Sequence, residues 1–133
     1  MTIFIDKDTS NTCFFTLNES TTITGVRYIL EIESKATNQS KIMWLNDDVS
    51  TNVERYNKYI IQEVPEIDED LEDQKINLII GGHNFYVWQT ESDILDISFA
   101  QNIIESGWIH VNGVEPVINV APVTPNTKFV YKN

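Results

Sequence analysis

The sequence predicts an all-β protein, a single antiparallel β-sandwich or barrel of about seven to nine strands with an extended proline-rich C-terminal segment. Ile, Val and Thr make up 41 of the 133 residues, whereas Ala and Leu supply only 9. Branched side chains of this kind favour strands, and no window carries a sustained helical stripe of apolar residues. The length fits one domain whose core needs neither disulfides nor metal.

The first half of the chain predicts four strands separated by polar turns. The clearest is Val26–Glu33, where Val26, Tyr28, Leu30 and Ile32 fall on one face. We expect it to pair antiparallel with a preceding strand across the turn-forming residues 18–22. The other strands are expected at Thr12–Leu17, Lys41–Leu45 and Tyr56–Val64.

An acidic segment follows, from Glu63 to Asp73, with seven acids and no base. Its few apolar residues predict a mobile, solvated hairpin loop. Carboxylates suit calcium, but the spacing is not that of an EF-hand loop. Contact with a basic partner surface is a third interpretation.

The second half predicts a hairpin in which Lys75–Ile80 and Asn84–Gln89 flank a Gly81-Gly82-His83 turn, because glycines supply the positive φ angles of tight turns. Residues 92–105 fit either a short helix or a long loop. A further strand is expected at Gly107–Val111.

The last residues combine three of the four prolines with interleaved valines. We therefore divide the chain into a β-sandwich at residues 1–113 and an extended C-terminal arm or edge strand of the same domain at residues 114–133. Prolines are tolerated on strand edges, so such an arm could dock by strand addition on its own sheet or on a neighbouring subunit.

Charge excludes several partner classes. There are 20 Asp and Glu against 9 Lys and Arg, a formal charge of −11. Binding to nucleic acid or to an anionic membrane depends on clustered Lys and Arg, so neither is an expected partner. No apolar run is long enough to span a bilayer and the first residues lack a signal-peptide pattern, so we expect a soluble, unprocessed chain.

No catalytic motif is found, and we predict no enzymatic activity, no cofactor and no metal. The one thiol, Cys13, is expected to be a buried core residue rather than a nucleophile activated by His83 or His110. The turn position of His83 predicts a solvent-facing side chain, and His110 is expected to be half-exposed. Glu31 and Glu33 share a strand face, but among twenty acids such a pair is weak support for a glycosidase.

Aromatic residues indicate a partner interface. Alternation places Tyr86 and Trp88 on one face of their strand and Phe85 and Val87 on the other, so that one pair is core and the other is exposed or covered by a partner. The residues that we predict to contact a partner are Trp88, Trp108, Val117, Val120, Val123, Phe129 and Tyr131.

Several segments, taken in order, resemble the small acidic all-β proteins encoded among the virion structural genes of tailed bacteriophages of Bacteroidota, including crAss-like phages. The matching segments run from about Thr12 to Val111. They are Phe15-Thr16-Leu17-Asn18-Glu19-Ser20-Thr21-Thr22, Tyr28-Ile29-Leu30-Glu31-Ile32, Asp48-Val49-Ser50, Arg55-Tyr56-Asn57, Phe85-Tyr86-Val87-Trp88-Gln89 and Glu105-Ser106-Gly107-Trp108-Ile109-His110-Val111.

The resemblance implies a non-enzymatic structural role in the virion, made in the host cytoplasm and contacting capsid or connector subunits or other copies of itself. A capsid auxiliary or decoration subunit is the first hypothesis, and a head-to-tail connector or tail component is the second. The alternative class is a carbohydrate-binding or other ligand-binding β-sandwich module that uses exposed aromatics near Trp88 or Trp108.

Overall fold

The computed structural model describes residues 2–17, 21, 26–46, 48–51 and 56–113, and these ranges form an all-β fold of two sheets, as the sequence predicts. Within them, no helix has the length and apolar character that crossing a membrane would require. The strands are β1 (Thr2–Asp6), β2 (Ser10–Phe15), β3 (Arg27–Ser34), β4 (Ser40–Leu45), β5 (Asn57–Glu63), β6 (Lys75–Ile76), β7 (Gly81–Thr90) and β8 (Asn102–Asn112).

The larger sheet has five strands in the order β1-β8-β7-β3-β4, and the smaller has three in the order β2-β5-β6. Two neighbouring pairs, β1 with β8 and β5 with β6, are parallel, while the other described pairs are antiparallel. Both sheets are therefore mixed. The expected pairing of the strand before residue 18 with β3 is wrong, because β2 pairs with β5 in the smaller sheet.

The core lies between the two sheets and follows the period-two pattern of each strand. Phe15 occupies its centre, with its ring 5.7 Å from that of Phe85 and 6.0 Å from that of Tyr59. Burial of one such ring contributes about 2 to 3 kcal/mol. Other core side chains are Ile3, Ile5, Cys13, Leu17, Leu30, Ile32, Met43, Ile61, Ile76, Val87, Ile109 and Val111.

The expected hairpin at Gly81-Gly82-His83 is wrong. These residues begin β7, which pairs with β3 and β8, while Lys75–Ile76 pairs with β5 in the other sheet. Gly81 does adopt a positive φ of 121°, but at the start of a strand rather than inside a turn. His83 consequently points into the interior and is 2% exposed, not solvent-facing.

The acidic segment is largely exposed, as predicted, but several contacts anchor it to the rest of the fold. A 3₁₀ turn spans Glu66–Asp68, and the Leu71 carbonyl accepts a hydrogen bond from the Trp44 amide at 3.2 Å. Glu63 is buried, and Glu69 pairs with Lys41 at 2.6 Å. The hairpin part of the prediction is wrong, because β5 and β6 on either side of the segment pair in parallel, and the anchoring contacts come from distant strands that local composition does not reveal.

The ambiguous stretch at residues 92–105 is mainly a connection followed by strand. A 3₁₀ turn at Ile97–Phe99 begins where the Asp96 side chain accepts from the Ser98 amide, and β8 starts already at Asn102. The predicted arm or edge strand at residues 114–133 lies outside the described residues.

Candidate functional site: the outer face of the five-stranded sheet

The outer face of the five-stranded sheet is the side that points away from the smaller sheet. Alternation along each strand decides its residues, since every side chain between two core positions points outward. The outer face is formed by Thr2 and Phe4 on β1, Trp108 and His110 on β8, Asn84, Tyr86 and Trp88 on β7, Ile29, Glu31 and Glu33 on β3, and Ile42 and Trp44 on β4.

Two carboxylates lie in the middle of the outer face. Tyr86 is directly opposite Glu31, and Asn84 is opposite Glu33. The Trp88 indole N–H donates to Glu31 Oε1 at 3.0 Å, while the Tyr86 hydroxyl and the Asn84 amide each donate to Glu33 Oε1 at 3.4 Å. These five half-buried residues form what we call the acidic-aromatic centre.

Partial desolvation and the negative charges of Glu33 and Glu31 raise the pKa of the Tyr86 phenol. Its hydroxyl therefore stays protonated at neutral pH and donates to Glu33. Neutral donors of this kind orient the carboxylates without cancelling their charge.

Cations of the chain itself stack on tryptophans at two flanks of the outer face. The Arg27 guanidinium carbon is 3.7 Å from the Trp44 ring centroid, and Lys35 Nζ is 5.6 Å from that of Trp108. Arg27 also contacts Asp93 at 3.6 Å. Among the described residues, neither Glu31 nor Glu33 takes part in an ion pair. The centre is thus acidic between two basic flanks.

The edge of the outer face near β1 is apolar and open. Phe4 is 64% exposed and Trp108 is 53% exposed. The Phe4 ring meets His110 edge to face, with 6.3 Å between centroids. Exposed aromatic side chains beside polar groups are typical of surfaces that bind a partner.

The sequence-predicted interface residues divide into two groups. Trp88 and Trp108 both lie on the outer face, where Trp88 is half-buried and bonded to Glu31 while Trp108 is exposed. Alternation predicts that one of the two pairs on β7 is core, and the structure shows that it is Phe85 and Val87. The other predicted interface residues lie outside the described residues: Val117, Val120, Val123, Phe129 and Tyr131.

Sequence reasoning missed Phe4 and the binding potential of Glu31 and Glu33. The alternating pattern of Thr2–Asp6 indicates a strand, and it could have been used to predict that Phe4 points outward. The two carboxylates were placed correctly on one strand face, but their aromatic neighbours come from β7, and strand pairing is not visible in the sequence.

The residues considered for nucleophilic catalysis are separated. Cys13 is buried, as predicted, and burial raises the pKa of its thiol to about 12. His83 Nδ1 lies 3.1 Å from the Gly81 carbonyl oxygen, and His110 points to the opposite side of the sheet. Within the described ranges, no hydrogen bond joins Cys13 to either histidine.

Away from the outer face, a cleft of about 310 Å³ opens between the β3–β4 turn and the acidic segment. It is lined partly by Lys41, Glu66 and His83. Lys41 is already bound to Glu69 and to the Asn77 carbonyl, so it offers little charge to a ligand. Over the residues that the structure describes, no cluster of three or more His, Cys, Asp or Glu side chains could hold a metal ion.

Comparison with protein-family models, with curated proteins and with solved structures finds no match to the chain.

Proposed function

We propose that the chain is a non-enzymatic structural protein of a tailed-phage virion, a capsid auxiliary or decoration subunit that binds other virion proteins through the outer face. It would be made in the host cytoplasm and incorporated into the particle. The sequence segments that resemble phage structural proteins, and their order along the chain, support the virion assignment.

The observation that carries the docking role is the exposure of Phe4 and Trp108 at one end of the outer face. Burying both rings in a contact would remove apolar surface from water, which is the main driving force of association. The rest of the face supplies oriented polar groups that give such a contact specificity.

Quantitative mass spectrometry of purified particles of the encoding phage tests the virion assignment. We expect the chain at a fixed ratio to the major capsid protein, and its absence from mature particles would overturn the proposal. Immunogold labelling on the neck or tail instead of the head would replace the decoration role with the connector or tail role.

A pair of matched variants tests the docking role. We expect Phe4→Ser with Trp108→Ala to lower incorporation into particles that lack the wild-type chain. Phe14→Ser is the control, because Phe14 is also exposed but lies on the smaller sheet. Equal incorporation of the two variants would show that the outer face is not the docking surface.

Carbohydrate binding is the second candidate, favoured by one observation. Aromatic rings and hydrogen-bonding side chains share one sheet face, with Trp88, Tyr86 and Asn84 beside the two carboxylates. Sugars stack on such rings and bond to such groups. Calorimetry of the wild type and of Trp88→Ala with soluble glycans of the host surface tests it, and loss of measurable binding in the variant would support it.

A further inference from the structure

Some groups on the outer face that attract cations already have a lysine or arginine of the chain beside them, and others do not. Trp44 is covered by Arg27 at 3.7 Å, and Trp108 has Lys35 at 5.6 Å. Between them, Glu31 and Glu33 receive only neutral donors from Trp88, Tyr86 and Asn84. In the part of the chain that the structure describes, no lysine or arginine pairs with either carboxylate.

We propose that the acidic-aromatic centre binds arginine side chains of an extended segment of a partner virion protein. This inference rests on the proposed function, since it names the chemistry of the partner that the same face would meet. A net charge of −11 attracts a basic segment to this protein in general, and the centre gives that attraction a defined place.

Arginine fits the centre better than lysine for two reasons. Its planar guanidinium can form paired hydrogen bonds to a carboxylate and can lie flat on an aromatic ring at the same time. The Arg27 and Trp44 contact shows that this sheet face accepts a guanidinium on an indole. Trp88 and Tyr86, which bond to the carboxylates, place two aromatic rings beside them.

Spacing argues for an extended segment. Glu31 and Glu33 are two residues apart on β3, which places them about 7 Å apart along the strand. A partner chain in extended conformation presents its alternate side chains at the same interval. Two arginines separated by one residue would therefore each meet one carboxylate.

Isothermal titration calorimetry with a capped pentapeptide, Thr-Arg-Val-Arg-Thr, tests the inference on the full-length protein. Matched peptides carry lysine or uncharged citrulline in place of both arginines. We expect the arginine peptide to bind more tightly than the lysine peptide and the citrulline peptide to lose binding. Equal affinity for the arginine and citrulline peptides would overturn the inference, because it would show that charge is not recognised.

Two double variants separate a defined site from general attraction. Glu31→Gln with Glu33→Gln removes two charges from the centre, whereas Asp68→Asn with Glu72→Gln removes two from exposed positions of the acidic segment. We expect the first to bind the arginine peptide about ten-fold more weakly and the second to bind like wild type. Equal weakening of both variants would assign binding to net charge and overturn the inference.

A measurement on the wild type keeps the test independent of variant folding. In two-dimensional NMR spectra, the arginine peptide should shift the Trp88 indole N–H signal, because that proton is donated to Glu31. The Trp44 signal, already covered by Arg27, should move less. A Trp88 signal that stays in place at saturating peptide would contradict the site.

The two proposals can fail separately. If the peptide does not bind but the chain is present in particles, the arginine site is wrong and the virion role stands. If the peptide binds at the centre and the chain is absent from particles, the virion role is wrong and the site stands.

Discussion

Acidic side chains of this protein lie in two contrasting environments, the interior near the β1–β2 turn and the outer face. Buried Glu63 accepts from Lys7 Nζ at 2.8 Å, from the Asp8 amide at 2.9 Å and from the Leu78 amide at 2.8 Å. Among the residues that the structure describes, half-buried Glu31 and Glu33 have only neutral donors and no cation as a partner.

These environments determine whether each carboxylate stabilises the fold or is available to bind a partner. A buried charge is tolerated only when a cation and further donors surround it, so Glu63 joins β5 to two distant parts of the chain and has no capacity left for a ligand. Glu31 and Glu33 stabilise the fold little and remain able to bind. Replacing the two kinds of carboxylate should therefore change stability by very different amounts.

The largest effect is expected for Glu63→Gln, which leaves the Lys7 ammonium without its charged partner. We predict a loss of about 3 to 5 kcal/mol in the free energy of unfolding, measured by urea denaturation. Glu33→Gln is the matched change on the outer face and should cost less than about 0.5 kcal/mol. Similar losses for the two variants would show that the distinction between them is wrong.

Asp48 is an intermediate case, a half-buried carboxylate with several hydrogen-bond donors and, within the described ranges, no ion pair. Desolvation opposes its ionisation, yet hydrogen bonds from the Lys58 and Ser50 amides and from Asn57 hold the pKa of Asp48 below its usual value. We expect Asp48→Asn to cost about 1 to 2 kcal/mol, measured at neutral pH.

The depressed pKa of Asp48 also predicts the direction of a pH effect. The ionised carboxylate stabilises the fold fully above about pH 4, and this contribution is lost as the pH falls through the folded-state pKa. The stability difference between wild type and Asp48→Asn should therefore shrink on acidification, and a difference that grows would contradict the assignment.

The two histidines differ in the same way, since His83 is buried and His110 lies on the outer face. Burial lowers the pKa of His83, against an opposing hydrogen bond to Gly81, so its stabilising neutral form is fully present above about pH 6.5 and is lost as the pH falls. The melting temperature should fall between pH 7.5 and pH 5.5, a range of roughly one pH unit on either side of that value. His83→Gln should make this decline smaller. His110→Gln should reduce the decline less than His83→Gln, because the charge of His110 makes only the smallest contribution to the lowered pKa of His83.

A small effect on stability is expected for removal of residues 114–133. If the segment is a docking arm, the truncated chain should fold with a loss of less than about 1 kcal/mol in the free energy of unfolding. Lost incorporation of a folded truncation into particles would support the docking arm. An unfolded or insoluble truncation would show that the segment belongs to the core.

Most strands could be predicted because their alternation is local. The core face of Val26–Glu33 and the division of β7 into core and outer positions follow from the period of two, and the structure confirms both. The error at Gly81-Gly82-His83 has a physical reason. Glycine permits a turn without requiring one, and here β7 gains more from continuing between β3 and β8.

The candidate site could be predicted only in part, for a different reason. Trp88 and Trp108 were identified as interface residues because large aromatics on an outward face are conspicuous in the sequence. The acidic-aromatic centre was missed because Glu31 and Tyr86 are far apart in the chain and meet through strand pairing. Strand pairing depends on the whole core, so it cannot be read from the local sequence pattern.

The parallel pairing of β1 with β8 has a consequence for how the chain folds during synthesis. Thr2 pairs with Trp108, so β1 leaves the ribosome before the other described strands and finds its partner, β8, only after all of them have emerged. Pairings of such long range close slowly, on the millisecond to second scale for β-rich domains. Until then Ile3 and Ile5 lack their place in the core, and a nascent chain that exposes such apolar side chains is the kind of species that chaperones bind.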